Sequence, residues 1–142
     1  MKKSGIAKVS LCVLGIALVC GCATAPKGPT DAEMIQAQVE GFKAALLALD
    51  IDKLMATISE DFYHPEVGDK ASAKNYLQDA MDSGYLDDGE VDLDAAETAI
   101  EDDTATVYPI ELSAPVGAVT IGLTLNKETG GWFISEIDVE GL

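Results

Sequence analysis

The run Val119-Thr-Ile-Gly-Leu-Thr-Leu125, with the turn Asn126-Lys-Glu-Thr-Gly-Gly131 and the segment Trp132-Phe-Ile-Ser-Glu-Ile-Asp-Val139 behind it, decides the fold class. Val119, Ile121, Leu123 and Leu125 alternate with Thr120, Gly122 and Thr124, and a period of two sends successive side chains to opposite faces of a strand. The glycine-rich turn then brings Trp132–Val139 back as a final strand. Working upstream, a strand is predicted from about Thr104 to Ser113, with Thr106, Tyr108, Ile110 and Leu112 on one face. Pro109 lies within it and has no N–H to give a ladder, so it marks an edge or a bulge. Val91, Leu93 and Ala95 alternate with Asp92 and Asp94 and predict the first of four strands. Short turns between them make an antiparallel meander.

Before Gly89 the period is helical. Ile35, Val39, Phe42, Leu46 and Leu49 recur at spacings of three and four, the apolar stripe of an amphipathic helix capped by Thr30 or Asp31. Leu54, Met55 and Ile58 predict a second, shorter helix capped by Asp50 or Asp52. Phe62-Tyr63-His64-Pro65 breaks helicity, because proline pushes its predecessor toward extended backbone. Asp69 caps a third helix with Ala73, Tyr76, Leu77, Ala80 and Met81 inward and Gly84 just past its end. Helices first and strands afterwards specify an α+β layer rather than alternating β-α units.

The N-terminus reads as an address. Lys2, Lys3 and Lys8 precede an apolar run from Val9 to Cys20, too short to span a bilayer and of the length of a secretory signal. Val19-Cys20-Gly21-Cys22 resembles the lipobox of bacterial lipoproteins, an aliphatic residue at −3 and a small one at −1 before a lipidated cysteine. The resemblance implies a signal peptide over 1–21, acylation of Cys22 and anchoring in a membrane. Ala23 after the cysteine resembles the sorting pattern for the outer membrane, periplasmic face, in a Gram-negative cell. Pro26, Gly28 and Pro29 make 22–30 a short extended tether, and 31–142 is the size of one domain. If cleavage falls between Gly21 and Cys22, Cys12 and Cys20 leave with the signal, and the mature chain has one thiol and neither a disulfide nor a cysteine zinc site. An ordinary secretory signal cut after Ala23 or Ala25 would leave an unanchored protein instead.

Charge narrows the partners. Without Lys2, Lys3 and Lys8, six lysines face 25 acids, a balance of −19. That repels phosphate backbones and anionic headgroups alike, which excludes nucleic acid and leaves acyl chains as the membrane contact.

Phe42-Lys-Ala-Ala-Leu46-Leu-Ala-Leu-Asp50, Asp52-Lys-Leu54-Met, Ile58-Ser-Glu-Asp-Phe62 and the ending Gly131-Trp132-Phe133-Ile134 together resemble the SnoaL-like branch of the nuclear transport factor two-like superfamily. The likeness runs from about Ala32 to Val139. It implies a cone-shaped domain, three helices packed on a curved antiparallel sheet of four or more strands, with a pocket at the wide mouth and homodimerisation through the sheet. It also implies either a non-catalytic domain that binds a small apolar ligand or another envelope protein, or a small isomerase- or dehydratase-like enzyme with a carboxylate in the pocket.

Candidate chemistry is sparse. His64, the lone histidine, stands near Asp61 and Tyr63, and an imidazole oriented by a carboxylate can move a proton near neutral pH. Tyr108 offers a hydroxyl of the kind that steadies an oxyanion. Phe42, Tyr63, Tyr76, Tyr108 and Trp132 are the expected pocket lining, Trp132 being also the core aromatic of the final strand. Glu111 lies among apolar neighbours, yet alternation turns it outward. The acids between Asp82 and Asp94 fail as a calcium loop, since a register with Gly84 as the turn glycine puts Met81 at a ligand position. With no nucleophile elbow, phosphate loop or paired cysteines, the reading calls for no metal and no cofactor.

Overall fold

The computed structural model describes residues 28–141, so the expected signal peptide over 1–21, Cys22 and most of the expected tether lie outside the described residues. Three helices, α1 (Asp31–Leu47), α2 (Ile51–Ala56) and α3 (Lys70–Asp82), pack on a curved antiparallel sheet. None of them is long and apolar enough to cross a membrane. A two-residue pair, β1 (Tyr63–His64) with β2 (Gly68–Asp69), bridges α2 to α3. The main sheet holds β3 (Glu90–Asp92), β4 (Glu97–Glu101), β5 (Thr104–Ala114), β6 (Gly117–Glu128) and β7 (Gly131–Glu140).

Local chemistry sets the helix ends. Thr30 caps α1 through a reciprocal box, its hydroxyl accepting from the Glu33 N–H while the Glu33 carboxylate accepts from the Thr30 N–H. Asp50 and Asp69 cap α2 and α3 in the same sense, each accepting a backbone N–H three residues on. Two Schellman motifs close α1 and α3, the Asp50 N–H reaching the Ala45 carbonyl and the Tyr85 N–H the Ala80 carbonyl. Gly84 takes the left-handed position in the second motif at φ +75°, and Leu49 takes it in the first at φ +53°. Leu49 is therefore past the helix and partly exposed; Ala45 completes the buried stripe of Ile35, Val39, Phe42 and Leu46.

Two strand expectations need correction. The predicted first strand is two. β3 and β4 lie along the same edge of β5, one pairing with Glu111–Ser113 and the other with Thr104–Tyr108. Between them Leu93–Ala96 turns, opposite the gap left at Pro109 and Ile110. The face expected for β5 is also half wrong. Val107 opposes Leu123 and Ile110 opposes Ile121, so three residues on β5 span two on β6. This bulge at Pro109 shifts the phase by one, burying Ala105 and Val107 before it and Ile110 and Leu112 after it. Thr106 and Tyr108 consequently face out. A second bulge, at Ser135 on β7, keeps Trp132, Ile134, Ile137 and Val139 all on the inner face.

One core fills the concave side. Ile35, Leu54, Ile58, Ile110, Leu123, Leu125, Trp132 and Ile134 are almost fully buried there. The segment after α2 is pinned to β7, the Ser59 N–H donating to the Ile134 carbonyl at 2.8 Å and the Ile134 N–H to that of Thr57 at 2.9 Å. The cone is closed at the Trp132 end. At the other end of β7, Ile137 is half-buried and Val139 is 42% exposed.

Candidate functional site

The narrow end of the cone is a structural lock. The Trp132 indole N–H donates to the Asp31 carboxylate at 3.0 Å, and the Lys127 ammonium pairs with the same carboxylate at 2.9 Å. Lys127 also lies 5.9 Å from the centre of the Trp132 ring. The Lys127 hydrogen bond, then that of Trp132, hold the Asp31 carboxyl below its ordinary value, and the same contact raises Lys127. Gln38 donates to the Trp132 carbonyl at 2.6 Å. Asp31, one of two cap candidates in the sequence, instead ties the start of α1 to the last hairpin.

The open end carries the cleft. Its larger lobe, about 390 Å³, lies between α1, α3 and the ends of β5, β6 and β7, with Phe42, Leu46, Leu77, Leu112, Ile121 and Ile137 among its walls. A smaller lobe of about 150 Å³ reaches toward Phe62, His64, Glu66 and Ala73. Tyr76, Leu77, Ile137 and Val139 border both lobes, which makes them one cleft in two parts. It exists because α3 is thinly packed: only Ala73 and Met81 on that helix are buried, while Leu77 and Ala80 are half-buried against open space. A third cavity, about 410 Å³, lies between α1 and the β3–β4 edge and is more polar, bordered by Gln36, Glu40, Asp94 and Thr98.

The predicted residues divide. Phe42 and Tyr76 line the cleft, Tyr76 from an exposed position at its rim rather than from within. His64 lines the smaller lobe, and its Nδ1 accepts the backbone N–H groups of Glu66 at 3.1 Å and Val67 at 3.3 Å. Asp61 does not orient it; that side chain is exposed, and its backbone N–H donates to the Ser59 hydroxyl at 3.0 Å. Tyr63 is 63% exposed and off the cleft, because a two-residue strand alternates and His64 takes the inner side. Trp132 is buried in the core at the far end. Tyr108 is on the convex face, donating to the Glu140 carboxylate at 3.3 Å. The charge on Glu140, with lost hydration next, pushes that phenol above its ordinary value. Its removal from the pocket follows from the Pro109 bulge.

Leu46, Leu77, Leu112, Ile121 and Ile137 read in the sequence as buried faces and not as lining, and Tyr85, Leu86 and Val116, which complete the larger lobe from loops, are missed altogether. Loop residues carry no periodicity, so no local signal could have placed them. On the convex face the register aligns Glu90, Asp92, Glu97, Glu101, Glu111, Glu136, Asp138 and Glu140, all exposed and with no lysine among them. Two copies paired through this face would bring like charges together. Among the described residues, the buried polar side chains are Thr57 and Ser59.

No family model matches the chain, and no curated protein matches it in sequence. Solved structures do match it in shape. An NTF2-like protein of unknown function from Pseudomonas putida superposes with a TM-score of 0.65 at 14% identity, over 81% of this chain and 90% of that one. A proposed dehydratase of the NTF2-like family from Streptomyces avermitilis gives 0.62 at 15% identity, over 77% and 94%. The chain has the NTF2-like fold. A Nostoc punctiforme protein of unknown function, described as having a cystatin-like fold, gives 0.63 at 14% identity over 80% and 93%. At these identities the likeness is one of fold alone. The pocket that the sequence resemblance implied at the wide mouth corresponds in position to the two-lobed cleft.

Proposed function

We propose that this protein is an envelope-anchored binding domain that holds a small apolar molecule in the cleft at the open end of the cone. The observation that carries the reading is the larger lobe itself: space for a ligand, bounded by Phe42, Leu46, Leu77, Ile121 and Ile137. Apolar walls with few polar groups are what small-molecule sites share. The alternative, an isomerase- or dehydratase-like enzyme, needs a carboxylate inside the pocket. Glu66 and His64 border only the smaller lobe, with His64 already engaged by two backbone N–H groups. Binding is the better supported of the two.

The lipobox resemblance around Cys22 supports the anchoring. The domain begins at Thr30, at the closed end of the cone beside Asp31 and Trp132. A lipid on Cys22 would therefore hold the closed end toward the membrane and leave the mouth free.

Two measurements test the halves separately. A neutral fluorescent probe, N-phenyl-1-naphthylamine, should brighten with the full chain, and Ile137→Asp at the cleft wall should abolish the gain. Equal brightening by that variant sinks the cleft reading. Cys22→Ser should shift the chain from the membrane fraction or leave it as precursor. Full membrane retention with normal processing would refute lipidation.

A further inference from the structure

We infer that the cleft selects a cationic amphiphile, an apolar body bearing an amine or quaternary ammonium head, over its anionic counterpart. The inference rests on the cleft being the ligand site and adds the charge of what enters it. At the rim of the larger lobe stand Tyr76 and Tyr85, 59% and 55% exposed. Exposed phenol rings beside an apolar wall are suited to a cation, which the ring face attracts. Glu66 adds a carboxylate at the edge of the smaller lobe.

No described lysine lines either lobe. Lys53, Lys70, Lys74 and Lys127 are committed to Asp50, Glu60, Asp52 and Asp31, and Lys43 lies on α1 away from the lining. His64 Nδ1 is occupied as an acceptor by the Glu66 and Val67 N–H groups, so it is not turned to an anionic head. An anionic head at the mouth would therefore give up hydration without finding a counter-ion. Across residues 28–141 all 25 acids face five lysines, a balance of −20 that draws cations toward the surface and repels anions.

The test uses the full chain in phosphatidylcholine nanodiscs, with empty discs as the blank, in equilibrium dialysis against three probes below their micelle concentrations. Decyltrimethylammonium, decanol and decyl sulfate share one tail and differ in head charge. The ammonium should bind about tenfold more tightly than the sulfate, with the alcohol between them. Glu66→Gln should weaken the ammonium alone, and Tyr76→Lys, at a position 59% exposed, should invert the order. Ala80→Trp, which fills the larger lobe, should weaken all three. Sulfate or alcohol binding as tightly as the ammonium overturns the charge preference and leaves the cleft standing. Binding of none of the three, or binding indifferent to Ala80→Trp, overturns the cleft as well.

Discussion

Replacing Trp132 with alanine removes the largest side chain at the closed end of the cone. The ring is 2% exposed and packs with the core side chains of the sheet, Ile134 beside it on the same strand. Truncating a buried tryptophan costs about 3–5 kcal/mol, through lost transfer free energy plus the cavity left behind. Against the ~5–15 kcal/mol that stabilises a whole domain, that is a large share. With an unfolding entropy of about 2.1 cal/mol/K per residue over roughly 110 residues, the melting temperature should fall by about 13–22 °C. Two further losses act in the same direction, since the Asp31 carboxylate loses the indole N–H and Lys127 loses the ring. Differential scanning calorimetry of the parent, Trp132→Phe and Trp132→Ala measures the effect. The phenylalanine variant keeps most of the volume but lacks the N–H, and should melt between the other two. A Trp132→Ala melting temperature within about 3 °C of the parent would refute the argument, because no 3 kcal/mol cavity can hide in so small a shift.

Asp31 is held below its ordinary value near 3.8 by Lys127 and then Trp132, so its contribution is present above that pH and lost as pH falls through the lower folded value. Asp31→Asn should flatten the acid limb of the stability curve below about pH 4, most visibly at low salt; an unchanged limb would count against the contact. Ser59→Ala should cost about 1–3 kcal/mol in urea unfolding, because the buried hydroxyl donates to Glu128 and accepts from the Asp61 N–H, and its loss leaves that N–H unpaired. A midpoint unmoved by the change would mean water replaces it. His64→Ala should cost about 0.5–1.5 kcal/mol, from the two backbone N–H groups it receives, and leave probe binding in the larger lobe intact. Loss of binding at an unchanged melting temperature would promote His64 to a functional group and favour the enzyme reading.

Much of the scaffold was readable from short-range chemistry. Thr30, Asp50 and Asp69 cap three helices because each oxygen serves an N–H three residues away, and Gly84 ends α3 because the backbone there needs a positive φ. Alternation along Val119–Leu125 marks β6 because both faces of one strand are read within one strand. These interactions span a handful of residues, so local order suffices to specify them. Phase across the sheet is different. The bulge at Pro109 turned Tyr108 outward and Val107 inward, and only pairing with β6 shows how many residues oppose how many. Asp31 meets Trp132 across 101 positions, and the cleft arises where α3 and the ends of β6 and β7 fail to fill the space between them. Periodicity identifies which side of an element is apolar; it carries no information on how far two apolar sides stand apart. That separation is set by the mutual packing of helices and a curved sheet, and in this chain it leaves room for a ligand at the wide end while Trp132 is packed in at the other.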